Sequence, residues 1–241
     1  MRNRSGVTML VIVVLLALAC RAVLAQIGPR YSVQLKAGQY TPSQPGRIEL
    51  AGNGLALIRY QELAILAVAA DADAYSAEAV RHWPAADLLV LTPASHGRYG
   101  GLAPLASLHG LGVVLPELGG HLAVPPPDGQ GPRWYPLHTW DALHLRKGKT
   151  SLRVTAMPGQ PGTAHVAGFM LELGRGGASY RVYLNCTPLA DEELRALPDR
   201  LPGADLALMP AQQGLQLLPL RSSQVPAALP PGGYTFTAVR R

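Results

Sequence analysis

The side chains that could do chemistry cluster in two short stretches. The first is Asp87-Leu88-Leu89-Val90-Leu91-Thr92-Pro93-Ala94-Ser95-His96-Gly97-Arg98-Tyr99-Gly100-Gly101-Leu102, which sets a hydroxyl, an imidazole and a guanidinium within four residues of one another. The second, Tyr180-Arg181-Val182-Tyr183-Leu184-Asn185-Cys186-Thr187, ends on a thiol. A deprotonated cysteine is both a nucleophile and a soft metal ligand. A serine nucleophile needs a strained turn to expose it, and no G-x-S-x-G elbow surrounds Ser95. His82, His109, His121, His138 and His144 show no ligand spacing and read as surface or partly buried structural residues. His96 and His165 lie close to the chemistry-bearing stretches and stay candidates.

The elements that must position these residues are legible from periodicity. Leu55 to Tyr60 and Leu63 to Ala70 flank Gln61-Glu62, a hairpin signal. Ser76 to Trp83 predicts a short helix with Ser76 as N-cap, and Asp87 to Thr92 a strand buried on both faces. Leu102 to His109 reads as a helix and Gly112 to Leu115 as a buried strand, with a loop over Pro125 to Pro132. In the second half, Leu152 to Met157, Val166 to Leu173 and Tyr180 to Leu184 are β-type runs. Ala190 to Leu197 is a helix with acids in its first turn, where the helix dipole favours them. Asp205 to Met209 and Tyr234 to Val239 are closing strands. Helices between buried strands imply a layered α/β domain.

The first stretch resembles the signature of the metallo-β-lactamase superfamily, a buried strand running into T-H-x-H-x-D-H-x-G-G and then a helix. Asp87, Thr92 and Gly100-Gly101 match its flanks. Val154-Thr155-Ala156-Met157-Pro158-Gly159-Gln160 resembles the family's strand ending in P-G-x-H. Gly168 to Glu172 with Tyr180 to Thr187 resembles the strands ending in G-D-T, and Asp205 to Pro210 a later strand. The blocks keep the family's order over residues 47 to 241. The resemblance implies an α/β fold, an αββα four-layer sandwich, with a cup at its head that holds one or two zinc ions for hydrolysis in ligand-complete members.

Against that pattern the donors are missing. The ligand positions fall on Pro93, Ser95, Gly97, Arg98, Pro161 and Cys186, and His is also absent at Pro210. Zinc binds through imidazole, thiolate or carboxylate lone pairs, and a closed site is worth roughly 10–16 kcal/mol delivered through them. Arg98 adds repulsion of several kcal/mol at an effective dielectric of about 20. The resemblance therefore implies no cofactor and a non-catalytic member, a hydrolase-like pseudoenzyme. Its vestigial pocket, around Ser95, Arg98 and Cys186, would take a small anionic ligand or a protein partner. With Arg98 nearby, Cys186 could instead be a low-pKa nucleophile of a thiol-dependent hydrolase or transferase, or a small buried hydrophobe. A third alternative recruits His96, His165 and Cys186 as new ligands of an active hydrolase. His96 falls at a spacer position, and Asp71 and Asp73 read as loop caps.

Composition narrows the class further. Apolar residues make up 48% of the 241, enough for a sizeable core, and 22 Pro with 26 Gly predict many turns. The formal charge is +6, but Arg2, Arg4 and Arg21 sit in or beside the N-terminal leader. Removing those three from +6 leaves +3, a weak field. Arg146, Lys147 and Lys149 around Gly148 read as a solvated hairpin turn, and no basic stripe interleaves with aromatics, so nucleic acid is not an expected partner. Arg2 and Arg4, the apolar run Val7 to Ala19 and Val23-Leu24-Ala25 form a signal-peptide pattern. The expectation is export to the periplasm or outside after cleavage at Ala25. Lipidation at Cys20 or a retained anchor is the alternative, and membrane contact runs only through this leader. Residues 26–46 read as a tether or loose strand, and 47–241 as the domain.

Overall fold

The computed structural model describes residues 28–37, 45–52, 55–68, 77–92, 105, 108–117, 131–159, 165–185, 189–211, 214–221 and 225–241. The chain divides into two compact units, Met1–Arg30 and Tyr31–Arg241. The second is built on strands β1 (Tyr31–Leu35), β2 (Gly46–Leu50), β3 (Leu55–Tyr60) and β4 (Leu63–Val68), then helix α1 (Ala77–Arg81). Strands β5 (Leu88–Leu91), β6 (Gly112–Pro116), β7 (Arg133–Leu137), β8 (Ala142–Lys147), β9 (Thr150–Pro158), β10 (Val166–Arg175) and β11 (Ala178–Asn185) follow. Helix α2 (Asp191–Arg200) then leads into β12 (Leu206–Ala211), β13 (Gly214–Pro219), β14 (Ala227–Ala228), β15 (Tyr234–Phe236) and β16 (Val239–Arg240).

The strands form two mixed sheets. One runs β15-β2-β3-β4-β5-β6-β7, and β4 to β7 in it are parallel. The other runs β1-β8-β9-β10-β11-β12-β13-β14, with β16 on β11. The sheets share one core: Ile48, Ile58, Ile65 and Val90 of the first pack with Leu143, Val154, Phe169, Val182 and Leu206 of the second. β5 is buried along its whole length because its alternate residues serve two clusters. Leu88 and Val90 face the shared core, and Leu89 and Leu91 face outward under Val80 of α1 and Leu105.

This overturns the expected αββα four-layer sandwich. Among the described residues the chain is mostly β, with two helices of five and ten residues. The physical reason lies in the outward positions. On β8 and β9 these are His144, Arg146, Ser151 and Arg153, which are exposed and polar. Such a face offers a helix nothing to bury. Outer-face cover by α2 follows the apolar residues, over Tyr183, Ala207, Met209 and Leu218. The Ser76 to Trp83 helix shrinks to α1, and most of the Leu102 to His109 helix falls outside the described residues. Tyr31–Leu35, within the 26–46 stretch, is a strand paired in parallel with β8. The Gly148 turn joins β8 to β9 as a hairpin.

One end of the sandwich is tied across the sheets. Lys147 at the end of β8 donates to both oxygens of Asp87, at 2.8 and 2.9 Å, just before β5. Arg175 donates to Gln61 in the β3–β4 turn. Phe236 stacks on Tyr180 at 4.2 Å and on Tyr60 at 6.1 Å. Asp87 and Asp205 do the same job in the two sheets. Each precedes a parallel strand, accepts the neighbouring strand's amide (Ala64 at 2.9 Å, Arg181 at 2.7 Å) and returns its own amide to that residue's carbonyl. Each carboxylate is also held by a cation, Lys147 in one case and Arg221 and Arg241 in the other.

Burial, then a hydrogen bond with Tyr234, pushes the Tyr180 phenol far above its ordinary value; burial also raises Tyr60. The unfolded chain releases these protons near pH 10 while the folded chain keeps them. Above pH 10 the unfolded state therefore binds fewer protons, and stability falls as pH rises. Thermal melts from pH 9 to 11 are expected to drop more steeply for the native protein than for Tyr180→Phe.

Candidate functional site

The tied end fixes where the other end must be. β4, β5, β6 and β7 start at the tied end and are parallel, so their C-terminal ends lie together at the opposite one. β9, β11 and β12 likewise start there, since Thr150 opposes Lys147 and β11 begins beside Tyr180. The carboxyl ends of both parallel sets thus share one head, where open α/β sheets gather ligands. Asp87, which flanks the motif in sequence, sits at the far end of β5 from it and is structural.

The head is where the motif positions depart from the strands. Thr92, Gly159 and Asn185 are the last described residues before the segments that carry Pro93, Pro161 and Cys186. Pro93, Ser95, His96, Gly97, Arg98, Pro161 and Cys186 lie outside the described residues, as do Asp71, Asp73 and His121. What the fold brings together is therefore the set of strand ends that lead to them. Thr92 and Asn185 are each only 4% exposed. Asn185 accepts a hydrogen bond from the Tyr183 hydroxyl at 3.1 Å. Gly168 faces Asn185 across the β10–β11 ladder, and a Cβ there would stand 2.3 Å from the Leu184 carbonyl and 2.6 Å from the Tyr183 hydroxyl. Glycine at 168 is what lets β10 and Tyr183 close the head from that side.

A polar group that sequence reasoning missed lies on the rim. Glu117 follows β6, and His138 follows β7. The His138 Nδ1 is 3.2 Å from Glu117 Oε2 and 3.3 Å from Asp141 Oδ2. Asp141 also accepts the His138 amide at 3.0 Å. One ring nitrogen set between two carboxylates holds the β7–β8 turn in place. The His138–Asp141 spacing is the only trace of this in the sequence; Glu117 joins through sheet pairing. The described histidines His82, His109, His138, His144 and His165 are all exposed. Among the described residues no group of three His, Cys, Asp or Glu could hold a metal ion, and no helix is long and apolar enough to cross a membrane.

No protein-family model matches the chain, and no curated protein matches it in sequence. Among its solved structural neighbours are metallo-β-lactamase-fold proteins. The metallo-β-lactamase fold protein YhfI from Bacillus subtilis is 12% identical over 68% of this chain and 70% of that one, with a TM-score of 0.41. BJP-1, a subclass B3 metallo-β-lactamase of Bradyrhizobium japonicum, is 15% identical over 73% and 78%, with a TM-score of 0.42. CmlA, a diiron β-hydroxylase from Streptomyces venezuelae, is 14% identical over 68% of this chain and 34% of that one, at 0.37.

Proposed function

We propose that this chain is an exported, hydrolase-like protein related to the metallo-β-lactamases that has lost its zinc site and works by binding. One observation carries the reading. The flanks of the metal motif remain, Thr92 and Gly100-Gly101 among them, while its ligand positions hold Pro93, Ser95, Gly97, Arg98, Pro161 and Cys186. Proline and glycine offer no side-chain lone pair, serine is a poor neutral ligand, and arginine is a permanent cation. This donor set does not fit zinc. A guanidinium in place of an imidazole fits a carboxylate or phosphate, which it can grip through two parallel hydrogen bonds. The convergence of the β5, β9 and β11 ends at one head supports a single small anion, or an acidic group of a partner, as the occupant. The leader pattern supports export.

Turnover tests the reading. The tag-free chain is expected to hydrolyse neither a chromogenic β-lactam nor 4-nitrophenyl esters above background, with or without added zinc. Zinc-dependent turnover would overturn it. Turnover abolished by alkylating Cys186 would instead establish the thiol-dependent enzyme.

A further inference from the structure

The outer face of the larger sheet carries an ordered row of charge. Across five strands the register places Ser32, His144, Arg153, Glu172 and Arg181 side by side. Glu172 is engaged by Arg181 at 3.2 Å, and Arg153 makes no ion pair among the described residues. Next to this row the outward side chains change character. Thr155, Met157 and Met170 form an apolar step towards the head, and the C-terminal turn of α2 with Arg200 stands beside it. With Arg153, Glu172 and Arg181 of the row they line a cleft of about 410 Å³, the size range of small-molecule sites. Three arginines line it against one carboxylate, Glu172.

A second observation points at the same place. Trp140, on the rim of this cleft, has a φ of 71° and is 66% exposed. A bulky aromatic in the left-handed region is an outlier that a turn normally gives to Gly or Asn. The turn is fixed by the Trp140 amide on the Ala156 carbonyl at 2.7 Å and by the Asp141 amide on the His138 carbonyl at 3.0 Å. Those bonds need no indole. Strain of this kind, about 1–3 kcal/mol, persists where surrounding structure enforces it and gathers at ligand clamps. The indole is thus held out where it covers no core.

We infer that this cleft, on the outer face of the larger sheet, is a binding site for an aromatic carboxylate. The ring would lie between Trp140 and the thioethers of Met157 and Met170, which favour aromatic faces and edges. The carboxylate would meet the guanidinium of Arg153, with Arg181 and Arg200 adding to the positive field. The local field agrees in sign. Partial desolvation lowers the His144 pKa, Arg153 lowers it further, and Glu172 opposes them. A bound anion beside Arg153 cancels part of that effect.

Calorimetric titration of the whole protein with naphthalene-2-carboxylate, and with the uncharged carboxamide, tests the site. The carboxylate is expected to bind saturably at one site, and the carboxamide, Arg153→Gln and Trp140→Asn each to weaken binding by about 10-fold or more. Both side chains are exposed and asparagine tolerates the left-handed backbone, so both variants should fold, which circular dichroism verifies. On saturation the NMR titration midpoint of His144 moves up, and it also moves up in Arg153→Gln. Equal affinity for carboxylate and carboxamide, or wild-type affinity in both variants, overturns the proposal. So does a dimer in solution that Trp140→Asn dissociates, which would assign the face to a second copy of the chain. Binding that Arg98→Gln abolishes and Arg153→Gln keeps would assign the ligand elsewhere and likewise overturn the proposal.

Discussion

Truncating Phe169 to alanine is expected to remove about 3–5 kcal/mol of unfolding free energy, the usual cost of an aromatic cavity in a packed core. Phe169 is fully buried in the middle of β10, opposite Ala156 on β9 and Leu184 on β11. With ladders on both sides the strand cannot shift to fill the void. The side chain also belongs to the cluster that both sheets share, so the void loosens one sheet on the other. Against a typical total of about 5–15 kcal/mol, this is roughly a fifth of the stability or more. Urea titration should show a lower midpoint with an unchanged slope, and the melting temperature should fall by roughly 6–20 °C at about 2–4 °C per kcal/mol. A loss under about 1 kcal/mol would mean that the sheets do not depend on a common core.

The second large effect belongs to Asp205. Its carboxylate is buried, accepts the Arg181 amide at 2.7 Å, and faces the guanidinium groups of Arg221 and Arg241. Removing one partner of a fully buried pair costs about 3–5 kcal/mol. Arg221 is half exposed and water screens it, so about 2–3 kcal/mol is the expected loss for Asp205→Ala. Three causes add: an amide left without its acceptor, two cations left facing each other, and release of the C-terminal Arg241. Asp205→Asn keeps the acceptor and should lose about half as much. Because the cation repulsion is screened, 1 M salt should recover part of the alanine variant's loss. Equal losses in both variants, insensitive to salt, would show that the charge contributes nothing.

Legibility followed the balance between local pattern and register. β5 stood out because Leu88–Leu91 is apolar on both faces, and the β3–β4 and β10–β11 hairpins because Gln61-Glu62 and Gly176-Gly177 punctuate long apolar runs. β7 and β13 were not expected as strands, and β1 lies in a stretch that read only as a tether or loose strand. Tyr31–Leu35 and Arg133–Leu137 are edge strands with polar or half-buried residues, and Gly214–Pro219 is bounded by Gly and Pro and interrupted by Gln216. Two full helical layers were over-expected because placing short helices between strands ignores whether each outer face needs covering. At the site, positions Pro93 to Arg98 could be singled out in sequence because they are contiguous, and they lie outside the described residues. Asp87 could not be placed, since its role is set by Lys147, sixty positions away. The Glu117–His138–Asp141 group and the Arg153 row exist only once strands are paired. Trp140 gave no signal because a left-handed φ leaves none in sequence.

The most direct test of the central claim is metal content and affinity together. The refolded, tag-free chain, dialysed against zinc and then titrated calorimetrically, is predicted to hold well under one ion and to show no saturable binding tighter than roughly 10 µM. One or two zinc ions per chain held below micromolar, and weakened by replacing His96, His165 or Cys186, would contradict it.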